Sequence, residues 1–133
     1  MSTHSLTKVF DEYNINMLTM YTHYDGYIEG YGIKLLEFLK TKKLVALRWL
    51  PCRRHNLANG MGCLAAQIVS HFKREPGDYY LYSPKEGNYE QYEYHIYGRD
   101  SEIFMKIIIS GKVEVDCNVN QVESELKLKA LLL

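Results

Sequence analysis

Tyr92-Glu-Tyr-His-Ile-Tyr97 and, six residues on, Ile103-Phe-Met-Lys-Ile-Ile-Ile109 decide the fold. In the first stretch Tyr92, Tyr94 and Ile96 alternate with Gln91, Glu93, His95 and Tyr97. A period of two is a strand with one face for a core and one for water. This strand is read over Tyr89 to Tyr97. The second stretch is a strongly apolar strand, and Gly111 turns it into a further one bearing Val113, Val115 and Cys117. Upstream, Asp78 to Ser83 is another strand, joined to the first by the loop Pro84 to Asn88. Four consecutive strands with short turns predict an antiparallel meander with helices on one face.

Working outward, Asn14 to Tyr24 also alternates. Ile15, Met17, Thr19, Tyr21 and His23 fall on one side, and Leu18, Met20 and Tyr24 on the other. Asp25-Gly26 breaks this strand. Ile33, Leu35, Leu36, Phe38 and Leu39 then recur at helical spacing, which predicts a helix from Gly32 to Lys40. Leu44 to Leu50 reads as a short strand or a helical turn, stopped by Pro51. Asn59-Gly60 resembles a helix N-cap. The helix after it carries the apolar stripe Leu64, Ala65, Ile68, Val69 and Phe72. It runs to about Lys73, and Pro76-Gly77 ends it. Asn120 and Glu123 have the spacing of a capping box. The terminal helix they would open ends in Leu131-Leu132-Leu133, which needs a partner surface. The predicted class is α+β: an antiparallel meander with two helices inserted after the first strand and a C-terminal helix. Residues 1–133 read as a single domain, with residues 1–13 a loosely ordered arm.

With 133 residues, 47% of them hydrophobic and 24% charged, the composition is that of a folded domain. No apolar run approaches the roughly 18 residues that would span a bilayer. The polar start, Met1 to Glu12, lacks a signal-peptide apolar region, so a cytoplasmic protein is expected. Cys52, Cys63 and Cys117 are too widely spaced for a zinc ribbon or a redox pair. Formal net charge is zero, which argues against binding a nucleic-acid polymer. The charge is uneven, however. Residues 40–55 hold Lys40, Lys42, Lys43, Arg48, Arg53, Arg54 and His55 with no acid. Such a patch on a neutral protein suits a small anion, or is a solvated loop.

Tyr21-Thr-His-Tyr-Asp-Gly-Tyr27, followed by Gly30 and Gly32, sets aromatic faces, an imidazole and a carboxylate beside a glycine-bearing turn. Glycine permits unusual backbone angles and close ligand approach. These groups are a toolkit for a base, a sugar and a phosphate. His23 and Asp25 would share a strand face and form an acid–base pair, or anchor the loop. Gly60-Met61-Gly62 at a helix start offers an anion site, or merely tight packing. Twelve tyrosines stand against four phenylalanines and one tryptophan, a bias found at binding surfaces. Rings at Tyr82, Tyr89 and Tyr92 with guanidinium forks at Arg48, Arg53 and Arg54 are what a nucleotide pocket needs. The candidate ligand-binding set is Tyr21, His23, Asp25, Tyr27, Arg48, Arg53, Arg54, Asn59, Tyr82, Asn88 and Tyr92. No catalytic set, metal site or cofactor is indicated.

The run from Tyr21 to Tyr27, the two glycines and Leu35-Leu-Glu-Phe-Leu39 resembles small phage and prophage proteins. Their signature is aromatic-x-His-aromatic-Asp-Gly-Tyr-Pro followed by glycines and a helix. Asn59 to Gln67, Gly77 to Pro84 and Tyr92 to Tyr97 look similar too. The likeness covers roughly residues 15–118, and Ile28 stands where that family usually has proline. The chain is also similar in kind to the Thoeris anti-defence protein 1 group. That resemblance implies an α+β sponge that binds glycocyclic ADP-ribose signals, and cyclic oligonucleotides, without cleaving them. It implies a dimer or hexamer with pockets between subunits, in the host bacterial cytoplasm. Two other readings stand beside it. One is a cyclic-nucleotide hydrolase using His23 with Asp25 or Glu29. The other is a protein-binding inhibitor with a tyrosine-rich face.

Overall fold

The structure is a computed structural model and describes residues 2–47, 54–84 and 88–132. It is an α+β fold in which one six-stranded, mostly antiparallel sheet carries helices on one face. The strands are β1 (Ser5–Phe10), β2 (Asn16–Thr22), β3 (Lys43–Val45), β4 (Leu57–Asn59), β5 (Tyr79–Tyr82), β6 (Tyr92–Arg99), β7 (Glu102–Ile109) and β8 (Lys112–Asn118). The helices are α1 (Ile33–Lys40), α2 (Gly60–Phe72) and α3 (Val119–Leu128). The large sheet runs β5-β2-β1-β6-β7-β8, and β3 and β4 form a small parallel pair.

Three of the four expected meander strands form one, β6-β7-β8, with β6 starting at Tyr92 and not Tyr89. The fourth, β5, lies at the opposite edge of the sheet against β2, because β1 takes the place beside β6. Tyr94 and Ile96 point into the core, against Met105 and Ile107 on β7, as their alternation requires. The β2 strand follows the expected pattern as well.

The segment read as a loosely ordered arm is instead β1, a central strand. It pairs antiparallel with β2 and parallel with β6. Val9 faces the helices, and so do Ser5 and Thr7, both polar and fully buried. They are small and polar because the 26–31 turn sits directly on them. A Cβ on Gly26 would lie 2.7 Å from Ser5, and the Thr7 hydroxyl bonds the Tyr31 hydroxyl at 2.6 Å. With two of its three inward positions polar, the strand does not show the hydrophobic alternation that marks strands in sequence.

Helix capping also departs from expectation. The Asn59 side chain does not cap α2 but bonds the backbone N–H and C=O of Leu47 at 2.9 and 3.0 Å. The α2 start is met by Glu12, whose carboxylate accepts from the Met61 N–H at 3.0 Å. For α3 the cap is Asn118, two residues earlier than read, with Oδ1 accepting from Asn120 N–H at 2.9 Å. Leu131 and Leu132 pack against the chain's own core, so these two tail leucines have an internal partner.

Candidate functional site

The glycine-bearing turn is a folding device. A wide, π-like turn, Ile28–Gly32, is broken at Gly30 and leads into α1. Its N–H groups are engaged: Gly26 donates to the Thr3 carbonyl, Tyr31 to Asp25, and Gly30 and Gly32 to Tyr27. A Cβ on Gly30 would lie 2.4 Å from the Asp25 carbonyl oxygen. The Tyr94 hydroxyl donates to the Gly26 carbonyl at 2.8 Å. Burial pushes the Tyr94 and Tyr31 hydroxyls far above the ordinary phenol range. These four backbone donors are thus spent on the chain itself. At Gly60-Met61-Gly62 the Met61 N–H is taken by the Glu12 carboxylate.

The candidate residues divide between the two faces of the sheet. Tyr21, His23 and Tyr82 meet on the face without helices. Tyr21 and Tyr82 stack at 5.2 Å and 11°, and the Tyr21 hydroxyl bonds His23 Nδ1 at 2.9 Å. His4, which the sequence did not single out, stacks on His23 at 4.9 Å. Tyr21 is buried there, and burial raises its hydroxyl pKa with a further contribution from Glu90. His23 pairs with Tyr21, so the proposed His23–Asp25 pair does not form. Asn88 donates to the Ser83 carbonyl at 3.0 Å.

Asn59 holds the Leu47 backbone. Tyr92 packs against the core. Tyr27 is exposed and offers its carbonyl to the turn. Arg54 is exposed, and Arg48 and Arg53 lie outside the described residues. Asp25 is on the helix side, lining a small cleft of about 180 Å³ with Thr22, Tyr31, Asp78 and Tyr79.

An open groove of about 640 Å³ adjoins that cleft and shares Lys34 and Tyr79 with it. Helical spacing builds one wall. Lys34, Glu37, Phe38 and Thr41 fall at i, i+3, i+4 and i+7, so they form one stripe. Leu35, Leu36 and Leu39 turn inward to the core. The end of α2 supplies His71 and Phe72, and the start of β5 supplies Tyr79. The His71 ring stacks on Phe38 at 4.4 Å and 25°. Lys42 Nζ lies 5.0 Å from the Phe38 centroid and donates to the His55 carbonyl. Desolvation, then Arg74 and Lys42, hold the His71 pKa below its ordinary value. Burial is the larger cause, and Arg74 and Lys42 add a positive field beside the ring, with Glu37 on the same groove.

In the sequence Phe38 reads as one of the apolar residues at helical spacing, and nothing singles out Lys34. The available signal was the i, i+3, i+4, i+7 stripe on the polar side of α1.

A third cluster is a charged core on the helix-free face. Glu93 accepts from His95 at 2.9 Å and from Lys8 at 3.2 Å. Among the described residues, no three His, Cys, Asp or Glu side chains gather in a way that could hold a metal. No described helix is long and apolar enough to cross a membrane. No protein-family model, curated protein or solved structure matches the chain.

Proposed function

We propose that this chain binds a small anionic nucleotide and holds it intact, as a phage-type anti-defence sponge for a nucleotide immune signal in the bacterial cytoplasm. Glycocyclic ADP-ribose or a cyclic oligonucleotide is the ligand class, and a homo-oligomer is the acting form. One observation carries the reading: the stacked Phe38–His71 wall stands beside Lys34 and Lys42 in a groove of about 640 Å³. That volume lies in the roughly 300–1,000 Å³ range of small-molecule sites. A flat ring pair suits an adenine, and the ammonium groups suit a pyrophosphate. The likeness to phage proteins and the neutral net charge support the same reading.

The hydrolase alternative loses its proposed pair, since His23 bonds Tyr21 and not Asp25. The protein-binding alternative keeps one observation in its favour. Tyr80 and Tyr82 are exposed on the helix-free face, next to Tyr21.

Calorimetry against ADP-ribose, its cyclic isomers and cyclic di- and trinucleotides tests the reading, with chromatography of the recovered ligand. The expected result is saturable binding with the ligand returned intact. Lys34→Ala with Lys42→Ala should weaken it at least tenfold, because each lost charge-assisted contact removes about 1.5–3 kcal/mol. Recovery of a cleaved product would make the chain a hydrolase. Absence of binding to every nucleotide would overturn the reading and leave the tyrosine face as the working surface.

A further inference from the structure

We propose that β5 is a docking edge for a second copy of this chain, with two β5 strands pairing antiparallel about a two-fold axis through Leu81. The contact is argued from the sheet edge and needs no nucleotide, so it stands or falls apart from the ligand reading above. It gives the homo-oligomer named there a contact surface.

Among the described residues, β5 and β8 are the outer strands of the large sheet. An outer strand offers unpaired N–H and C=O groups to another chain. The two edges are built differently. β8 carries charges along its length, at Lys112, Glu114 and Asp116, a usual guard against pairing. β5 reads Tyr79-Tyr-Leu-Tyr82, without a charge. Its Tyr80, Leu81 and Tyr82 are 49%, 59% and 41% exposed. The chain's net charge is zero, so two copies approach without overall repulsion.

Backbone direction fixes the register. The Asp78 carbonyl faces β2, where it accepts from the His23 N–H at 2.8 Å. The Tyr79 carbonyl faces outward, where Lys73 Nζ donates to it at 2.9 Å. Alternation along an antiparallel ladder then turns Tyr80 and Tyr82 toward β2 and Leu81 outward. Lys73 covers the edge at Tyr79, and Asn88 takes the Ser83 carbonyl. Between them, Leu81 presents its N–H and C=O together. A two-fold axis there lets each Leu81 N–H meet the other copy's Leu81 carbonyl, a self-complementary pair.

The same register matches the side chains. Leu81 meets its copy on the helix side, at a pocket of about 330 Å³ lined by Met20, Val69, Lys73, Tyr79, Tyr80 and Leu81. The strand that borders this apolar pocket thus carries the residue that fills it. On the other face Tyr80 lies opposite Tyr82 of the second copy, an aromatic cross-strand pair. Both rings are already held, Tyr82 by its stack on Tyr21 and Tyr80 beneath Lys73 Nζ at 5.5 Å, so pairing costs little side-chain freedom. A tyrosine buries about 150–250 Å² when fully covered. At the exposures above, the three side chains offer on the order of 300 Å² per copy, short of the roughly 800 Å² per partner of a standard interface. The dimer is therefore a weak, reversible one.

Sedimentation velocity on the full chain, from about 10 μM to about 1 mM, tests the contact, together with amide hydrogen exchange at both ends of that range. The expected result is a monomer–dimer equilibrium in which the Leu81 amide exchanges more slowly as concentration rises, while the β8 amides do not change. Leu81→Lys sets like charges across the axis and should weaken the dimer at least tenfold, whereas Val113→Lys on β8 should leave it intact. The exchange measurement needs no variant, so it decides the matter even if Leu81→Lys misfolds. A monomer throughout overturns the contact and the homo-oligomer with it. A dimer that survives Leu81→Lys, or whose Leu81 amide gains no protection, overturns the contact alone. Each of these outcomes leaves nucleotide binding to its own calorimetric test.

Discussion

At the residue scale, the glycines of the Tyr21–Gly32 segment serve the fold. Gly30 has a backbone oxygen, that of Asp25, where its Cβ would go. Backbone cannot yield as a flexible side chain does. Gly30→Ala should therefore cost about 1–3 kcal/mol, the usual penalty of overpacking. Gly62 is the control: it lies inside α2, and a methyl added there would meet nothing within 4 Å. Gly62→Ala should gain roughly 0.5–1 kcal/mol from helix propensity. Urea denaturation measures both, and an unchanged midpoint for Gly30→Ala would contradict the close-packed turn. The sequence showed that these glycines mattered but not to what. Glycine marks a close approach without saying whether the approaching group is a ligand or the chain itself.

At the element scale, β1 ties the halves of the sheet together, and its charges show how. Lys8 on β1 and His95 on β6 both donate to Glu93, which is 7% exposed. Burial pushes the Glu93 pKa up, but hydrogen bonds from His95 and Lys8 outweigh it, and the net shift is downward from 4.5. A carboxylate with a depressed folded pKa stabilises fully above its unfolded value. That contribution is lost as pH falls through the folded value. Glu93→Gln should thus cost about 1–3 kcal/mol near neutral pH, with the difference from wild type shrinking below pH 4.5. Equal urea midpoints at neutral pH would show the cluster to be idle. The β6-β7-β8 strands and helices α1 and α2 were plain in the sequence because apolar residues mark their inward faces, whereas the pairing of β5 with β2 was not. The β1 strand was not, because Ser5 and Thr7 take the inward positions beneath Gly26 and Tyr31. The α3 cap fell two residues from its reading because Asn118 and Asn120 are equally good capping residues.

At the scale of the whole molecule, the groove is assembled from three separated stretches: residues 34–42 on and after α1, His71-Phe72 at the end of α2, and Tyr79 at the start of β5. No local motif links them, which is why rings and cations are visible in the sequence while their meeting place is not. Asp25 is legible because the broken strand exposes that carboxylate, and Lys42 because the basic run is visible. Lys34, Phe38 and His71 come together only through the packing of α1 against the end of α2.

The measurement that bears most directly on this account is a nitrogen-15 amide map of the protein titrated with ADP-ribose, with the His71 ring followed across pH. Shifts should concentrate at residues 34–42, 71–72 and 78–79, and the His71 pKa should rise on binding as the anion offsets Lys42 and Arg74. Shifts confined to Tyr21, His23, Tyr80 and Tyr82, or a His71 pKa indifferent to ligand, would contradict the groove as the binding site.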